Sequence, residues 1–290
     1  MITKLKLATL SKSLLIGSLL AAFSANTLAH DHGNKALQSI IEARPAEMQA
    51  RDQYRNPQET LDFFEVKPGM TVAEALPGGG WYSGILADYL GKDGALYGIN
   101  YVDSMWARFG FFSEERITEM KAATKAFPGL VAELSDSGIA VEGYTFETIP
   151  EALDGTVDRV LFIRALHNLN RFESQAGTLT QALKATYNML KSDGLVGVVQ
   201  HAVAESDADN DGSRGYLKAS QVQAAFEAAG FELVASSDIN KNPKDEPTAS
   251  DIVWRLPPSY VGVGDDADKK KAADAIGESN RMTLLFKKKS

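Results

Sequence analysis

Short apolar runs separated by segments of helical periodicity recur along most of this chain. The run Val157–Ile163 is almost entirely apolar, which is typical of a strand buried on both faces of a parallel sheet. Thr71–Ala75 is a second short apolar run, and a cluster of glycines follows it. In all, the pattern predicts seven strands, over Thr71–Ala75, Gly94–Asn100, Ile139–Phe146, Val157–Ile163, Gly194–Gln200, Phe231–Ala235 and Arg281–Phe286.

Helical periodicity fills most of the segments between these runs. The predicted helices cover Ala36–Gln49, Ser83–Leu90, Glu114–Ala126, Phe172–Leu190 and Ser220–Ala229, and another begins near Pro57. Strands that alternate with helices predict an α/β fold, a three-layer sandwich around a mostly parallel sheet of seven strands. A long segment without a convincing crossover helix joins the last two strands, so we expect the last strand to be antiparallel.

The first strand leads into the stretch on which the predicted site depends. Glu74 lies at the end of this strand, and a proline and three glycines then form a turn before a helix. Glycines let backbone N–H groups approach a ligand closely, and a helix N-terminus favours polar or anionic groups. An acid there can accept hydrogen bonds from a ribose or an ammonium group. The candidate binding residues are Glu74, Pro77, Gly78, Gly79, Gly80, Trp81 and Tyr82.

The first 29 residues have the pattern of an export signal. Three lysines and no acid accompany the apolar run Leu14–Phe23, and Ala29 is a small residue at a cleavage position. The apolar run is shorter than the roughly 20 residues of a membrane span. We therefore expect cleavage after Ala29 and a periplasmic or secreted protein; the alternative is an uncleaved N-terminal anchor.

Composition limits the partners. The net charge is −8, and it becomes −11 when the three lysines of the signal are removed. A negative charge without a basic stripe argues against nucleic acid, and the absence of cysteine is compatible with an oxidising compartment. We expect a tail and helix over residues 30–50 and one domain over residues 51–290, without a membrane span. The lysine clusters at 269–271 and 287–289 are expected in a solvated loop and at the tail.

Two segments have a weak likeness to metal sites. His30–His32 would begin the cleaved chain, and an amine followed by histidine at the third position can chelate copper or nickel. The alternative, which we favour, is a frayed tail. Asp207–Gly212 imitates the start of a calcium loop, but Lys218 stands where the bidentate glutamate should be. We interpret it as a mobile acidic loop over the site, and we expect no metal.

Four blocks together resemble the class I S-adenosylmethionine-dependent methyltransferases. They are Val72–Tyr82, Asp158–Asn168, Asn188–Val196 and Ala228–Leu233. The Arg-Asp-x-Tyr-Arg-x-Pro segment at Arg51–Pro57 is similar to an exported, uncharacterised branch of that family. The resemblance implies a Rossmann-like sheet with an antiparallel seventh strand. It also implies S-adenosylmethionine lying across Glu74, the glycine turn and the end of the second strand.

Three positions depart from the family pattern. Leu76 stands at the first motif glycine, so we expect the turn to open differently. Asn100 replaces the acid that holds the ribose hydroxyls, and an amide offers them no charge-assisted hydrogen bond. Tyr144 stands near the place of the acid often found beside the adenine. These departures concern the affinity for the cofactor more than its identity.

The candidate catalytic residues are His167, His201 and Tyr54. His167 follows the fourth strand and His201 ends the fifth, and imidazole can act as a base near neutral pH. The alternative for His167 is a helix cap or a carbonyl partner. Tyr54 belongs to the Arg51–Pro57 segment, which is either a lid that binds an acidic group or an ion-paired helix cap. Trp81 can flank a sulfonium or pack the helix onto the sheet.

Two functions remain open from the sequence. The first is a methyltransferase acting on a small molecule outside the cytoplasm. The second is a non-catalytic exported binding protein that keeps the fold, because the cofactor is made in the cytoplasm and fold alone does not establish chemistry.

Overall fold

The structure is a computed structural model that describes residues 35–208 and 211–289. The predicted export signal, His30–His32 and Asp209 lie outside these residues. The seven strands are β1 Thr71–Ala75, β2 Ala95–Asn100, β3 Ala140–Thr145, β4 Val157–Ile163, β5 Leu190–His201, β6 Phe231–Ser237 and β7 Arg281–Lys288. They form one sheet in the order β3-β2-β1-β4-β5-β7-β6, and β7 is antiparallel to both neighbours. The predicted α/β sheet with an antiparallel last strand is confirmed.

Alternate residues of the central strands face two separate cores, one on each side of the sheet. On β4, Val160 and Phe162 belong to one core, and Leu161 and Ile163 belong to the other. This alternation follows from the two-residue repeat of a strand, and it explains why β4 has almost no polar positions. The sheet is therefore the middle layer of the predicted three-layer sandwich.

Helices cover both faces of the sheet. The first described helix, α1, spans residues 35–43. The others are α2 Ala46–Gln49, α3 Asp52–Arg55, α4 Pro57–Phe63, α5 Trp81–Leu90, α6 Met105–Arg108, α7 Glu114–Leu134, α8 Leu166–Arg171, α9 Glu173–Ala176, α10 Thr178–Met189, α11 Ala219–Ala228 and α12 Ala267–Ile276. Single 3-10 turns lie at Glu151–Leu153 and Val253–Arg255. Within the described part of the chain, no helix is long and apolar enough to span a membrane.

Two long helices predicted from the sequence are broken. The helix over Ala36–Gln49 divides into α1 and α2 because Pro45 drives the residue before it out of the helical conformation. The helix over Phe172–Leu190 is likewise divided, since Gly177 takes a left-handed φ of 62° between α9 and α10. After Pro45 the chain runs towards the glycine turn that follows β1, so that Met48 lines the cavity described below.

Two other regions are more helical than predicted. Helix α7 continues past Pro128 to Leu134, although proline in a helix interior costs roughly 3 kcal/mol. Packing of Leu130 and Val131 against the core offsets that cost. Helix α12 lies between β6 and β7, so the lysines at 269–271 are helical and not in a loop. The second lysine cluster begins inside β7, where Lys288 Nζ donates to the Leu190 carbonyl over 2.6 Å.

Candidate functional site

A cavity of about 940 Å³ opens at the carboxyl ends of β1, β2, β4 and β5. Strand β1 pairs with β2 on one side and with β4 on the other. The chain therefore leaves the sheet in two directions there, and such a switch point forms the usual ligand crevice of an open α/β sheet. The lining includes Arg51, Arg55, Leu76, Pro77, Gly78, Gly79, Trp81, Asn100, Tyr101, Trp106, Arg164, His167, Asn168, His201 and Trp254.

The glycine turn forms one wall of this cavity. A Cβ built on Gly79 would meet no atom within 4 Å, and one on Gly78 would meet only the Leu76 carbonyl oxygen at 3.9 Å. The absence of a side chain at Gly78 and Gly79 therefore leaves open space in the cavity that a ligand can occupy. Gly80 has another role, because its Cβ would lie 2.6 Å from the side chain of Leu134 on α7. Its missing side chain serves helix packing.

Leu76 opens the turn in a left-handed conformation. Its φ is 55°, which costs a non-glycine residue about 1–2 kcal/mol. The backbone nevertheless reverses sharply at this point, and Leu76 lines the cavity. A leucine therefore occupies the conformation that glycine adopts most easily, and the strain is located at the cavity wall.

Glu74 lies behind the turn and does not line the cavity. Its side chain is buried, and Oε2 accepts a hydrogen bond of 2.6 Å from Ser83 Oγ on α5. Burial raises the pKa of Glu74 to about 7, and the Ser83 hydrogen bond opposes this shift. Glu74 thus couples β1 to α5. Gly80, Tyr82 and Tyr144, which we also predicted as binding residues, are likewise absent from the cavity lining.

Replacing Glu74 with glutamine is expected to change how stability depends on pH. Between about pH 4.5 and 7 the folded protein keeps the Glu74 proton while the unfolded chain has lost it. The free energy of unfolding therefore falls as pH rises through this window and is level above it. Glutamine cannot ionise and can still accept from Ser83. The difference in the free energy of unfolding between Glu74→Gln and the wild type should therefore increase by about 3 kcal/mol in favour of the variant between pH 4.5 and 8, at about 1.4 kcal/mol per pKa unit.

Urea denaturation at the two pH values measures this gain. Glu142→Gln is the matched control, because Glu142 is an exposed carboxylate on the edge strand β3 of the same sheet. An equal pH dependence in Glu74→Gln and the wild type would contradict the assignment.

The segment from α2 to α4 is held across the cavity by two aromatic residues of α5. Trp81 Nε1 donates to the Met48 carbonyl over 3.1 Å, and the Tyr82 hydroxyl donates to the Arg55 carbonyl over 3.1 Å. The guanidinium of Arg55 lies 4.3 Å from the centroid of the Trp81 ring, and that of Arg44 lies 4.7 Å from it. The indole that we predicted beside a sulfonium is thus already engaged by two protein cations.

The Arg51–Pro57 segment has features of both predicted roles. Pro57 occupies the first turn of α4, as predicted, and Arg51 forms a 2.6 Å ion pair with Glu278, the third residue before β7. The segment is therefore ion-paired. Arg51 and Arg55 also line the cavity, so the same cations are available to a ligand.

His167 lies in the cavity wall as a neutral imidazole. It is 5 % exposed, and Nδ1 lies 3.4 Å from Gln200 Oε1. Gln200 Nε2 donates to the carbonyls of Gly215 and His201, so its oxygen must face the ring. An amide oxygen only accepts, which assigns the proton to His167 Nδ1 and leaves Nε2 as an acceptor. Burial lowers the pKa of His167 to about 4.

The ring of His201 is hydrogen-bonded to a hydroxyl and not to an amide. Its Nδ1 lies 2.5 Å from Ser279 Oγ, which also accepts a hydrogen bond of 3.3 Å from Arg281 Nε. A hydroxyl can donate one hydrogen bond and accept two, so Ser279 fits either tautomer of His201; where it donates to Nδ1, the ring proton is on Nε2. Burial, and next the adjacent His167, lower the pKa of His201. The ring centroids lie 5.5 Å apart, so both predicted histidines meet in one cavity, and of the two it is His167 whose amide partner fixes Nε2 as an acceptor.

Tyr54 lies outside the main cavity, and the acidic loop contains an ion-paired carboxylate. The Tyr54 ring packs against Gly277 and lines a separate cavity of about 190 Å³. Both oxygens of Asp207 accept hydrogen bonds from Arg214 Nη2, at 2.7 and 2.8 Å, so this carboxylate serves an ion pair. Among the described residues, no group of three histidine or acidic side chains lies close enough to hold a metal ion.

Several residues of the cavity were missed by the sequence predictions. Arg164 directly follows β4 and has a φ of 61°, and Trp106 and Trp254 line the same space from α6 and from the β6–β7 connection. The one available signal was that Arg164 is the first polar residue after a buried strand. The two tryptophans carry no such signal.

Comparisons with known proteins give fold likenesses only. No protein-family model matches the chain, and no curated protein matches it significantly. A SAM-dependent methyltransferase from Aquifex aeolicus is 19% identical, with 70% of this chain and 93% of that chain covered, at a TM-score of 0.46. A Burkholderia thailandensis 1,6-didemethyltoxoflavin-N1-methyltransferase, solved with S-adenosylhomocysteine, is 10% identical, with 95% and 94% covered, at 0.46. The cyclase SpnF is 15% identical, with 81% and 80% covered, at 0.48.

Such low identities and TM-scores assign neither a family nor an activity to this chain. The fold is established by its own strand order, β3-β2-β1-β4-β5-β7-β6 with β7 antiparallel. The functional assignment has to come from the chemistry of the cavity.

Proposed function

We propose that this protein is an S-adenosylmethionine-dependent methyltransferase that acts on a small molecule outside the cytoplasm. The observation that carries the proposal is the composition of one cavity. It combines an open glycine turn and an amide at the end of β2 with a neutral histidine after β4. A methyl transfer needs a bound donor, an aligned nucleophile and often a proton acceptor. The glycine turn and the amide serve to bind the donor, and the histidine borders the space left for the nucleophile and can accept its proton.

The residues present fit the proposed cofactor. Gly78 and Gly79 leave open space at the turn, and the Asn100 amide can bond to ribose hydroxyls. Trp106 Nε1 is a buried donor without a partner in the described chain, and its ring lies 5.0 Å from that of Tyr101. An aromatic surface with a free donor suits a purine base. When bound, S-adenosylmethionine would supply an activated methyl group on a sulfonium.

Titration of the chain beginning at His30 with S-adenosylmethionine and S-adenosylhomocysteine tests the proposal. We expect saturable binding of both, because the turn offers backbone donors and the helix α5 has no side-chain cap. Gly79→Leu should weaken binding at least about tenfold, equivalent to about 1.4 kcal/mol, by filling the open space. No heat and no thermal shift at millimolar ligand would overturn the proposal.

Gly129→Leu is the matched control for this titration. Gly129 also has no atom within 4 Å of a built Cβ, but it lies on α7 and does not line the cavity. The variant Gly129→Leu should bind the cofactor with the affinity of the wild type. Equal weakening in both variants would indicate a general loss of folding and not a filled turn.

A binding protein without catalysis is the second candidate, and the histidines favour it. Burial makes His167 a weak base, with a pKa of about 4, so it accepts a proton poorly at neutral pH. Transfer of a labelled methyl group from S-adenosylmethionine into small-molecule extracts distinguishes the candidates. Binding of the cofactor with no transfer into any extract would favour the binding protein.

The location outside the cytoplasm is part of the proposal. It is supported by the basic, apolar and small-residue pattern of residues 1–29. The intact mass of the protein recovered from the cell envelope tests it, and a mass that still includes residues 1–29 would contradict cleavage after Ala29.

A further inference from the structure

Four arginines surround one carboxylate on the β4 side of the cavity. Arg51 Nη2 lies 2.6 Å from Glu278 Oε1, Arg281 donates to Oε2, and Arg55 Nε lies 3.8 Å from Oε2. Arg164 is the fourth cation of this group. Glu74, a second carboxyl group that Arg55 and Arg164 affect electrostatically, is bonded to Ser83, and its burial favours the neutral form. The cluster therefore holds more positive than negative charge.

Arg55 is buried with donors that nothing satisfies. It is 3 % exposed, and neither Nε nor Nη1 has a hydrogen-bond partner in the described chain. Its 3.8 Å approach to Glu278 is too long for a hydrogen bond. A buried guanidinium without acceptors is costly, so such a group calls for a ligand that provides them.

Arg164 presents a second free guanidinium to the same space. It lines the cavity, and its side chain makes no hydrogen bond or ion pair to another described residue. Burial, and next the neighbouring arginines, lower the pKa of Arg55 to about 8 and that of Arg164 to about 10. Glu278 opposes both pKa shifts, but one carboxylate does not offset the burial and mutual repulsion of these cations.

Within the cluster, Arg164 lies away from Asn100, the residue proposed to bind the ribose. Arg164 follows β4, whereas Asn100 ends β2 on the other side of β1. The cavity of about 940 Å³ is near the upper end of the usual range for small-molecule sites, roughly 300–1,000 Å³. A second molecule can therefore lie beside a bound nucleoside, with its polar end among the arginines and close to His167.

We propose that the methyl acceptor is an anionic small molecule whose carboxylate or phosphate group binds to Arg55 and Arg164, with Arg51 beside them. This inference rests on the proposed methyltransferase function. Guanidinium groups match both anions through paired N–H donors, and a low-dielectric cavity strengthens the interaction. The alternative is that these arginines bind the carboxylate of the cofactor itself, and the experiment below distinguishes the two ligands.

Inorganic phosphate and benzoate are the probes, with benzamide as the neutral counterpart of benzoate. Each is titrated into the chain beginning at His30, alone and with saturating S-adenosylhomocysteine. We expect both anions to bind, benzamide not to bind, and anion affinity to persist when S-adenosylhomocysteine is present. Competition between the anions and S-adenosylhomocysteine, but not 5′-methylthioadenosine, which lacks the carboxylate, would assign the cluster to the cofactor and overturn the proposal.

Arg164→Gln tests the residue assignment. Anion affinity should fall about tenfold or more, while the melting temperature without ligand should rise because a repelling cation is removed. An arginine with only a structural role would lower the melting temperature. Arg108→Gln is the control, since Arg108 is an exposed cation on α6 that does not line the cavity. Unchanged anion affinity in Arg164→Gln would overturn the proposal.

The outcomes also separate this inference from the proposed function. Binding of S-adenosylhomocysteine without any anion binding would remove only the anionic acceptor. Anion binding that depends on Arg164, without binding of S-adenosylhomocysteine, would leave an anion site and remove the methyltransferase proposal.

Discussion

Replacing Gly143 with alanine is expected to destabilise the fold by about 3 kcal/mol, the upper end of the usual cost of overpacking a core. Gly143 lies on β3 beneath α7. A Cβ at this position would lie 1.8 Å from the backbone oxygen of Thr124, which is far inside any contact distance. Because the obstacle is backbone, relief requires the whole helix to move off the sheet.

Helix α7 cannot move freely, because its next turn packs closely against a second glycine. Gly98 on β2 pairs directly with Gly143 across the sheet, and a Cβ there would lie 2.6 Å from the Phe127 ring. The two glycines form a flat strip against which α7 lies with Phe127 buried. Chemical denaturation measures the loss. Gly129→Ala, in open space on α7, should be neutral or gain up to about 1 kcal/mol. An unchanged denaturation midpoint for Gly143→Ala would contradict this packing.

The strands could be predicted from the sequence because burial dictates their composition. Val157–Ile163 and Thr71–Ala75 have the observed bounds of β4 and β1, since both strands are buried on both faces and polar residues mark their ends. The role of the Gly98–Gly143 strip could not be predicted. It depends on the β2–β3 register and on where α7 lies, and neither is encoded in a local pattern.

The site could be predicted in part for a related reason. The carboxyl ends of parallel strands meet at one edge of the sheet. The common location of Asn100, His167 and His201 could therefore be predicted from their positions at or after strand ends. The cationic cluster was not predicted as a unit. Arg51 and its partner Glu278 are 227 residues apart, and only the fold joins them. Glu74 was misplaced because a strand end has two faces, and its side chain points to α5.

Replacing His167 with glutamine is expected to lower turnover by about 10²-fold, the lower end of the usual contribution of a positioned acid or base, because a pKa of about 4 makes it a weak base. The cofactor's dissociation constant should change by less than about threefold, because the glycine turn follows β1, whereas His167 lies on α8 after β4. Glutamine keeps a polar group near Gln200 but cannot take a proton. The measurement is kcat and KM with an acceptor identified by labelled methyl transfer, beside a cofactor titration.

The pH profile of turnover distinguishes proton acceptance from mere positioning. With a pKa of about 4, His167 stays neutral at pH 7 and becomes protonated only as pH falls through about 4. Turnover of the wild type should therefore fall on the acid side near pH 4 and not near 6.5, and His167→Gln should lack this limb.

His201→Gln is the comparison that fixes the assignment. In the tautomer in which Nδ1 accepts from Ser279, its Nε2 carries the ring proton and no acceptor nitrogen is free. Its loss should stay below about tenfold, the scale of one hydrogen bond near 1.4 kcal/mol. If His201→Gln loses more turnover than His167→Gln, the proton acceptor is His201, and Ser279 must then be the group that receives a hydrogen bond from its ring.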